Sequence, residues 1–227
     1  MRYFPKPVIV APAGLCLGGG AEITMHASRV VAASELYIGQ VELGAGVIPA
    51  GGGTKELIRR VVNPSLRIKD NLPLPAMQVV FELIGQAKVA TSAVEAYEFG
   101  FLTNADRIVM NRDHLTSMAK NEALHMCNTG WHPPAPEKIY AGGRDLLAAL
   151  RAGLNMFAEG GYITQYETHI GEKAIYVMAG GELSKPTWVD EQYILDLERE
   201  AFLSLCGEEK TQERMFAILD TGRPLRN

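Results

Sequence analysis

A chain of 227 residues, 47% of them hydrophobic, is long enough to bury a real core, and it reads most simply as one domain with a helical appendage. The net charge of -4 offers no basic face for nucleic acid, no apolar run is long enough to span a bilayer, and the N-terminus lacks the charged-then-apolar pattern of a signal peptide. The three cysteines, Cys16, Cys127 and Cys206, are odd in number and set among apolar residues, the pattern of reduced thiols in a cytoplasmic protein rather than of a disulfide framework.

Taken in chain order, Pro7-Val8-Ile9-Val10-Ala11-Pro12 reads as a short buried strand bounded by prolines, beginning almost at Met1 where an α/β domain usually leads in with more sheet. Gly14-Leu15-Cys16-Leu17-Gly18-Gly19-Gly20-Ala21-Glu22 follows, and Ile23, Met25, His26 and Ala27 continue it as a helix. A strand that passes through glycines into a helix gathers bare backbone N–H groups at one point, because glycine has no Cβ and the first-turn donors lack intrahelical partners. That point suits an anion or a developing oxyanion. Glu22 lies about one turn into the same helix, where an acid is also favoured simply by the helix dipole, worth roughly 0.3–1 kcal/mol.

Val30 to Ala33 and Leu36 to Gly39 read as short strands joined at Ser34-Glu35. After the loop Gln40-Val41-Glu42-Leu43-Gly44, the run Ile48-Pro49-Ala50-Gly51-Gly52-Gly53 makes a second glycine-rich entry, into a helix from Thr54 to about Val62 that Asn63-Pro64 ends. Lys55, Arg59 and Arg60 flank that helix as a solvated face. Arg67 to Pro75 is a loop, and apolar residues at Val79, Val80, Leu83 and Ile84 keep the helical period. Thr91-Ser92 caps a helix from Ala93 to Phe99 that Gly100 stops. Arg107 to Met110 is a strand, and Asn111-Arg112-Asp113 opens a helix to about Cys127.

His132-Pro133-Pro134-Ala135-Pro136 is a stiff linker. Beyond it the pattern predicts only helices, about 144–159, 163–178, 189–206 and 208–221. Residues 1–131 therefore read as an α/β core and 132–227 as a helical C-terminal region.

Several chemistries fail on spacing. After Gly18 and Gly20 the next small residue of a dinucleotide fingerprint is replaced by Ile23, and Gly53-Thr54-Lys55 has the threonine and lysine of a P-loop in the wrong order. Glu22 and His26 share a helical face, but no third ligand is spaced to complete a metal site, so no metal is expected. What survives is a pair of carboxylates beside an oxyanion donor. A thioester carbonyl aimed at the Gly19 N–H would gain stabilisation as an enolate forms, and loss of one such donor typically costs roughly 2.7–4 kcal/mol of barrier. Two carboxylates flanking the adjacent carbons would hold a water between them, one taking its proton and the other returning a proton to carbon.

The segments Lys6 to Ala11, Gly14 to Glu22, Gly39-Gln40-Val41-Glu42 and Ile48 to Thr54, in this order and spacing, resemble the consecutive signatures of the crotonase (enoyl-CoA hydratase/isomerase) superfamily. The ending, from Leu197 through Lys210-Thr211-Gln212-Glu213-Arg214 to Asn227, resembles the C-terminus of bacterial 3-hydroxyacyl-CoA dehydrogenases that carry a crotonase-type domain after an NAD-dependent part. The resemblance implies an α/β crotonase-like (ClpP/crotonase) fold, truncated at its front, with a helical C-terminal layer. It implies catalytic roles for Glu22 and Glu42, and an oxyanion N–H on Gly19. Where hydratases carry a proline before the second acid, this chain has Val41. Because isomerases of the superfamily often lack one of the two acids, the presence of both implies hydration of a 2-enoyl-CoA in fatty-acid β-oxidation. The implied substrate is an acyl-CoA, with no cofactor in this chain and NAD only where a dehydrogenase domain accompanies it. The implied partners are further copies of the chain or that dehydrogenase domain. A different class of reading, a non-catalytic assembly or docking module, stands beside it.

Overall fold

The computed structural model describes residues 1–227, which form two compact units, each assembled from two stretches of chain. The first combines Met1–Gln40 with Val89–Pro136, and the second combines Val41–Lys88 with Glu137–Asn227.

In the first unit, β1 (Ile9–Val10), β3 (Arg29–Ala33) and β6 (Arg107–Val109) make one parallel sheet in the order β1-β3-β6. A second sheet has the order β2-β4-β5, with β2 (Gly14–Leu17) parallel to β4 (Leu36–Gly39) and β4 antiparallel to β5 (Val89–Ala90). From β1 to β4 the strands thus alternate between sheets, and Ser34-Glu35 is where the chain passes from β3 to β4. The strand feeding the first glycine turn is Gly14–Leu17 itself, not the proline-bounded segment before it. Helix α1 (Gly19–Met25) lies against β2 and β4. The buried Val31, Ala33 and Val109 pack with Leu115 of a later helix, α6 (Leu115–Asn128). Between β5 and β6, α5 (Ala93–Glu98) starts at Ser92, whose hydroxyl accepts the Glu95 N–H at 3.1 Å, the cap expected from sequence. Glu122 of α6 is buried and draws the Arg107 guanidinium to 2.7 Å.

The second unit opens with a 3₁₀ turn, Glu42–Ala45, followed by α2 (Gly53–Leu57). Asn63-Pro64 does not end this helix. A π-helical turn, Ile58–Val62, carries it on into α3 (Asn63–Ser65), so the helix stops just after Pro64 instead of before it. Helix α4 (Pro73–Gly85) begins at Pro73, inside the stretch expected to be loop, with the proline in the first turn, where its missing N–H costs nothing. Beyond the proline linker the purely helical expectation is corrected by β7 (Lys138–Ala141) and β8 (Thr187–Asp190), an antiparallel pair whose Tyr140 and Trp188 rings meet edge to face at 5.6 Å. Around it stand α7 (Gly143–Glu159), α8 (Gln165–Ala179), α9 (Glu191–Cys206) and α10 (Glu209–Thr221). Helix α8 starts with a capping box between Thr164 and Glu167. No helix is long and apolar enough to cross a membrane.

Candidate active site

The parallel register sets Leu17 beside Gly39, and the Gly18 N–H donates to the Gly39 carbonyl at 2.9 Å. Gly18 then turns at φ 56°, ψ -122°, a combination closed to residues with a Cβ, and α1 begins at once. The Glu22 N–H closes the first turn onto the Gly18 carbonyl at 3.0 Å. The amides at the head of α1, Gly19 first among them, therefore have no acceptor within the helix. A Cβ added at Gly19 would meet nothing within 4 Å, so open space lies before it. Glu22 is buried in the first turn of the same helix. A donor-bearing helix start, room in front of it and a carboxylate one turn away share seven residues.

Two neighbours of Glu22 have local duties. The His26 Nδ1 lies 2.7 Å from the Glu22 backbone carbonyl, which only accepts, so the ring is the tautomer protonated at Nδ1 and closes the end of α1. Cys16 is a free thiol whose Sγ is 3.2 Å from the Thr24 hydroxyl; burial pushes its pKa up, against a smaller pull down from Thr24. No group of three His, Cys, Asp or Glu side chains converges as a metal site.

Glu42 belongs to the second unit, at the first position of the 3₁₀ turn. Its carbonyl accepts the Val47 N–H at 3.2 Å, and Gly46 ends the turn in the left-handed region at φ 86°. Leu43 and Gly44 of this turn line a cavity of about 310 Å³ within the second unit, walled by Phe81, Leu154, Phe157, Ile163, Ile170 and Met178. That size and apolar lining fall at the small end of small-molecule sites. At its polar end Arg226 grips the Glu167 carboxylate at 2.6 and 2.8 Å. Burial raises the Glu167 pKa, but Arg226 together with the Thr164 N–H outweighs it and holds the carboxyl below its ordinary range.

The expected solvated face of α2 is corrected outright. Lys55 is 1% exposed, its Nζ held between Glu56 Oε1 at 2.7 Å and Glu191 Oε2 at 3.0 Å. Glu56, fully buried, also takes Arg59 at 2.7 Å and Arg60 at 3.2 Å. Burial alone would raise the Glu56 pKa; Lys55, Arg59 and Arg60 overwhelm it and hold the carboxyl far below the usual carboxylate range. From α9, the buried Glu198 accepts the Gly52 and Lys55 N–H groups, both at 2.8 Å. Sequence reasoning passed over Glu198, although it interrupts the buried stripe Ile194, Ala201, Leu205 on α9, where an acid must find donors.

Residues 1–65, which include Gly19, Glu22 and Glu42, match the enoyl-CoA hydratase/isomerase family. A Bacillus subtilis protein named "Probable 3-hydroxyacyl-CoA dehydrogenase" is 47% identical over all 227 residues, which span 28% of its own length. The first 65 residues are thus similar to that family, and the whole chain is similar to one part of the Bacillus protein. A short-chain-enoyl-CoA hydratase of Clostridium acetobutylicum is 48% identical over 61 residues, covering 27% of this chain and 23% of that protein. Among solved structures, carnitinyl-CoA hydratase from Mycobacterium avium aligns with 97% of the chain and 62% of its own at TM-score 0.55 and 18% identity. Enoyl-CoA hydratase/isomerase from Pseudoalteromonas atlantica aligns with 96% of the chain and 64% of its own at TM-score 0.53 and 14% identity. The fold is accordingly the α/β crotonase type. The chain spans well under a third of the two dehydrogenase and hydratase relatives. Of the three crotonase-type residues singled out from sequence, Gly19 and Glu22 stand together on α1, and Glu42 opens the second unit.

Proposed function

We propose that this chain carries the carboxylates of an enoyl-CoA hydratase-type lyase, adding water across the double bond of a 2-enoyl-CoA in fatty-acid β-oxidation. The observation that carries the reading is the head of α1, where unpartnered amides, open space and a buried acid coincide inside the segment that matches the hydratase/isomerase family. In the proposed step the thioester oxygen takes a hydrogen bond from the Gly19 N–H. One of Glu22 and Glu42, ionised at the start, accepts a proton from water as the water oxygen bonds to the β-carbon, and the electron pair of the double bond moves toward the thioester oxygen. The other acid, protonated at the start, gives its proton to the α-carbon, so that H and OH are added; the two carboxyls end with their protonation states exchanged and their total proton count unchanged.

The cavity beside the Glu42 turn supports an acyl tail lying there, as its lining is apolar. The substrate is then an acyl-CoA and the hydration itself needs no cofactor. NAD enters only through a dehydrogenase domain of the kind named in the Bacillus relative, and association with such a domain or with further copies in the cytoplasm belongs to the same reading. The test is hydration of a 2-enoyl-CoA by the natural full-length protein, compared with Glu22→Gln and Glu42→Gln. Each variant is expected to lose turnover by roughly 10²–10⁴-fold with the fold intact. Normal turnover in both would reject the assignment.

A further inference from the structure

The Glu42 turn has no regular element of its own to hold it, since the chain from Gly46 to Gly52 makes neither helix nor strand. Two buried side chains from the C-terminal helices grip it at both ends. At the near end the Thr211 hydroxyl donates to the Gly46 carbonyl at 2.6 Å, across 165 residues of sequence. Thr211 has one proton to give, so the Tyr166 hydroxyl, 2.7 Å from Thr211 Oγ1, must be the donor in that contact. The relay runs Tyr166 O–H to Thr211 O–H to Gly46 C=O, each bond polarising the next in a water-free setting. Thr211 is 0% and Tyr166 8% exposed, and both Lys210 Nζ, at 5.5 Å, and the Arg214 guanidinium, at 5.4 Å, lie over the Tyr166 ring. The fit is also steric: a Cβ at Gly46 would stand 2.8 Å from Thr211 Oγ1 and 2.9 Å from its Cα. At the far end α2 starts from Gly52, which has no side chain to cap it, and Glu198 of α9 supplies the missing acceptor to Gly52 and Lys55.

We infer that Thr211, backed by Tyr166, and Glu198 are positioning residues: the two last helices clamp the 42–55 segment and thereby fix the carboxylate of Glu42 for the proton transfer. The inference rests on the reading of Glu42 as one of the two catalytic acids. A displacement of about 1 Å at a reacting group can cost up to a hundredfold in rate, so releasing one end of the clamp is enough to be measured.

The test uses Thr211→Val, which keeps the shape and removes the donor, in the full-length protein. Its kcat for 2-enoyl-CoA hydration is expected to fall about tenfold with KM little changed, because substrate binding is left alone. Amide exchange at Gly46 and Val47 is expected to speed up while the amides of α7 hold their protection. Thr211→Ser restores both. Should Thr211→Val fail to fold, Tyr166→Phe leaves the Gly46 bond in place and is expected to lower kcat in the same sense by less. Unchanged kcat and exchange in Thr211→Val, or in Tyr166→Phe where that is the variant available, overturns the clamp. Glu42→Gln run alongside separates the two claims: turnover lost there but kept in Thr211→Val overturns the clamp alone, whereas turnover kept in Glu42→Gln overturns the reading beneath it.

Discussion

The turn at Gly18 and the turn at Gly52 both deliver the chain into a helix, yet different parts of the molecule hold them. Gly18 is fixed by its neighbours: β2 pairs with β4, twenty-odd positions on, and the Gly18 and Glu22 amides find acceptors at Gly39 and Gly18. Gly52 is fixed from afar, by a carboxylate 146 residues later, and the segment before it by a hydroxyl 165 residues from Gly46. The first is made between residues 14 and 39. The second exists only when α9 and α10 have docked.

The largest way to break the remote side is Lys55→Met, which strips the buried Glu56 and Glu191 carboxylates of their shared cation. Removing one partner of a buried ion pair typically costs about 3–5 kcal/mol; because Arg59 and Arg60 stay on Glu56, a loss of about 3 kcal/mol, the low end, is expected in denaturant unfolding. The local side is broken by Gly18→Ala, which forces a Cβ into φ 56°, ψ -122°; a cost of about 1–3 kcal/mol is expected, with loss of turnover because α1 no longer starts where it should. Glu198→Gln keeps one acceptor oxygen but removes the charge from the head of α2, and a loss of about 1 kcal/mol is expected.

Acid sharpens the same contrast. The Glu56 carboxyl is held far below its unfolded value, so its contribution is fully present above about pH 4.5 and is lost progressively as pH falls beneath that. The midpoint of urea unfolding is expected to drop through that window, and in a Glu56→Gln variant the drop is expected to shrink. The smallest effect concerns the cavity: Ala174→Leu narrows it and is expected to slow hydration of longer 2-enoyl-CoA chains a few-fold more than that of the four-carbon one.

The contrast also explains what could be read from the letters. The strands at Val30 to Ala33 and Leu36 to Gly39, the Ser92 cap and the glycine start of α1 follow from patterns spanning fewer than ten residues, and the structure carries all of them. Lys55 looked like surface because its partners, Glu56 aside, lie on an element more than 130 residues away. Prolines at 64 and 73 read as breakers, yet Pro64 lies inside the last turn of a helix that follows a π-helical turn, and Pro73 falls in a first helical turn, where its missing N–H is not needed. The β7 and β8 pairing joins two four-residue segments whose partner is nearly fifty residues off, and Val189 equally suits the start of α9. For the proposed site, Gly19, Glu22 and Glu42 were singled out by motif spacing, whereas Thr211, Tyr166 and Glu198 contact distant parts of the sequence and leave only the trace of polar residues set at buried helix positions.

The most direct measurement is the turnover of the Glu22→Gln, Glu42→Gln double variant with a 2-enoyl-CoA, set against each single. In the proposed hydration the two acids act on one water as a unit, so the double variant is predicted to be no slower than the worse single. Losses that simply multiply, or a double variant that hydrates at the unmodified rate, would contradict the account.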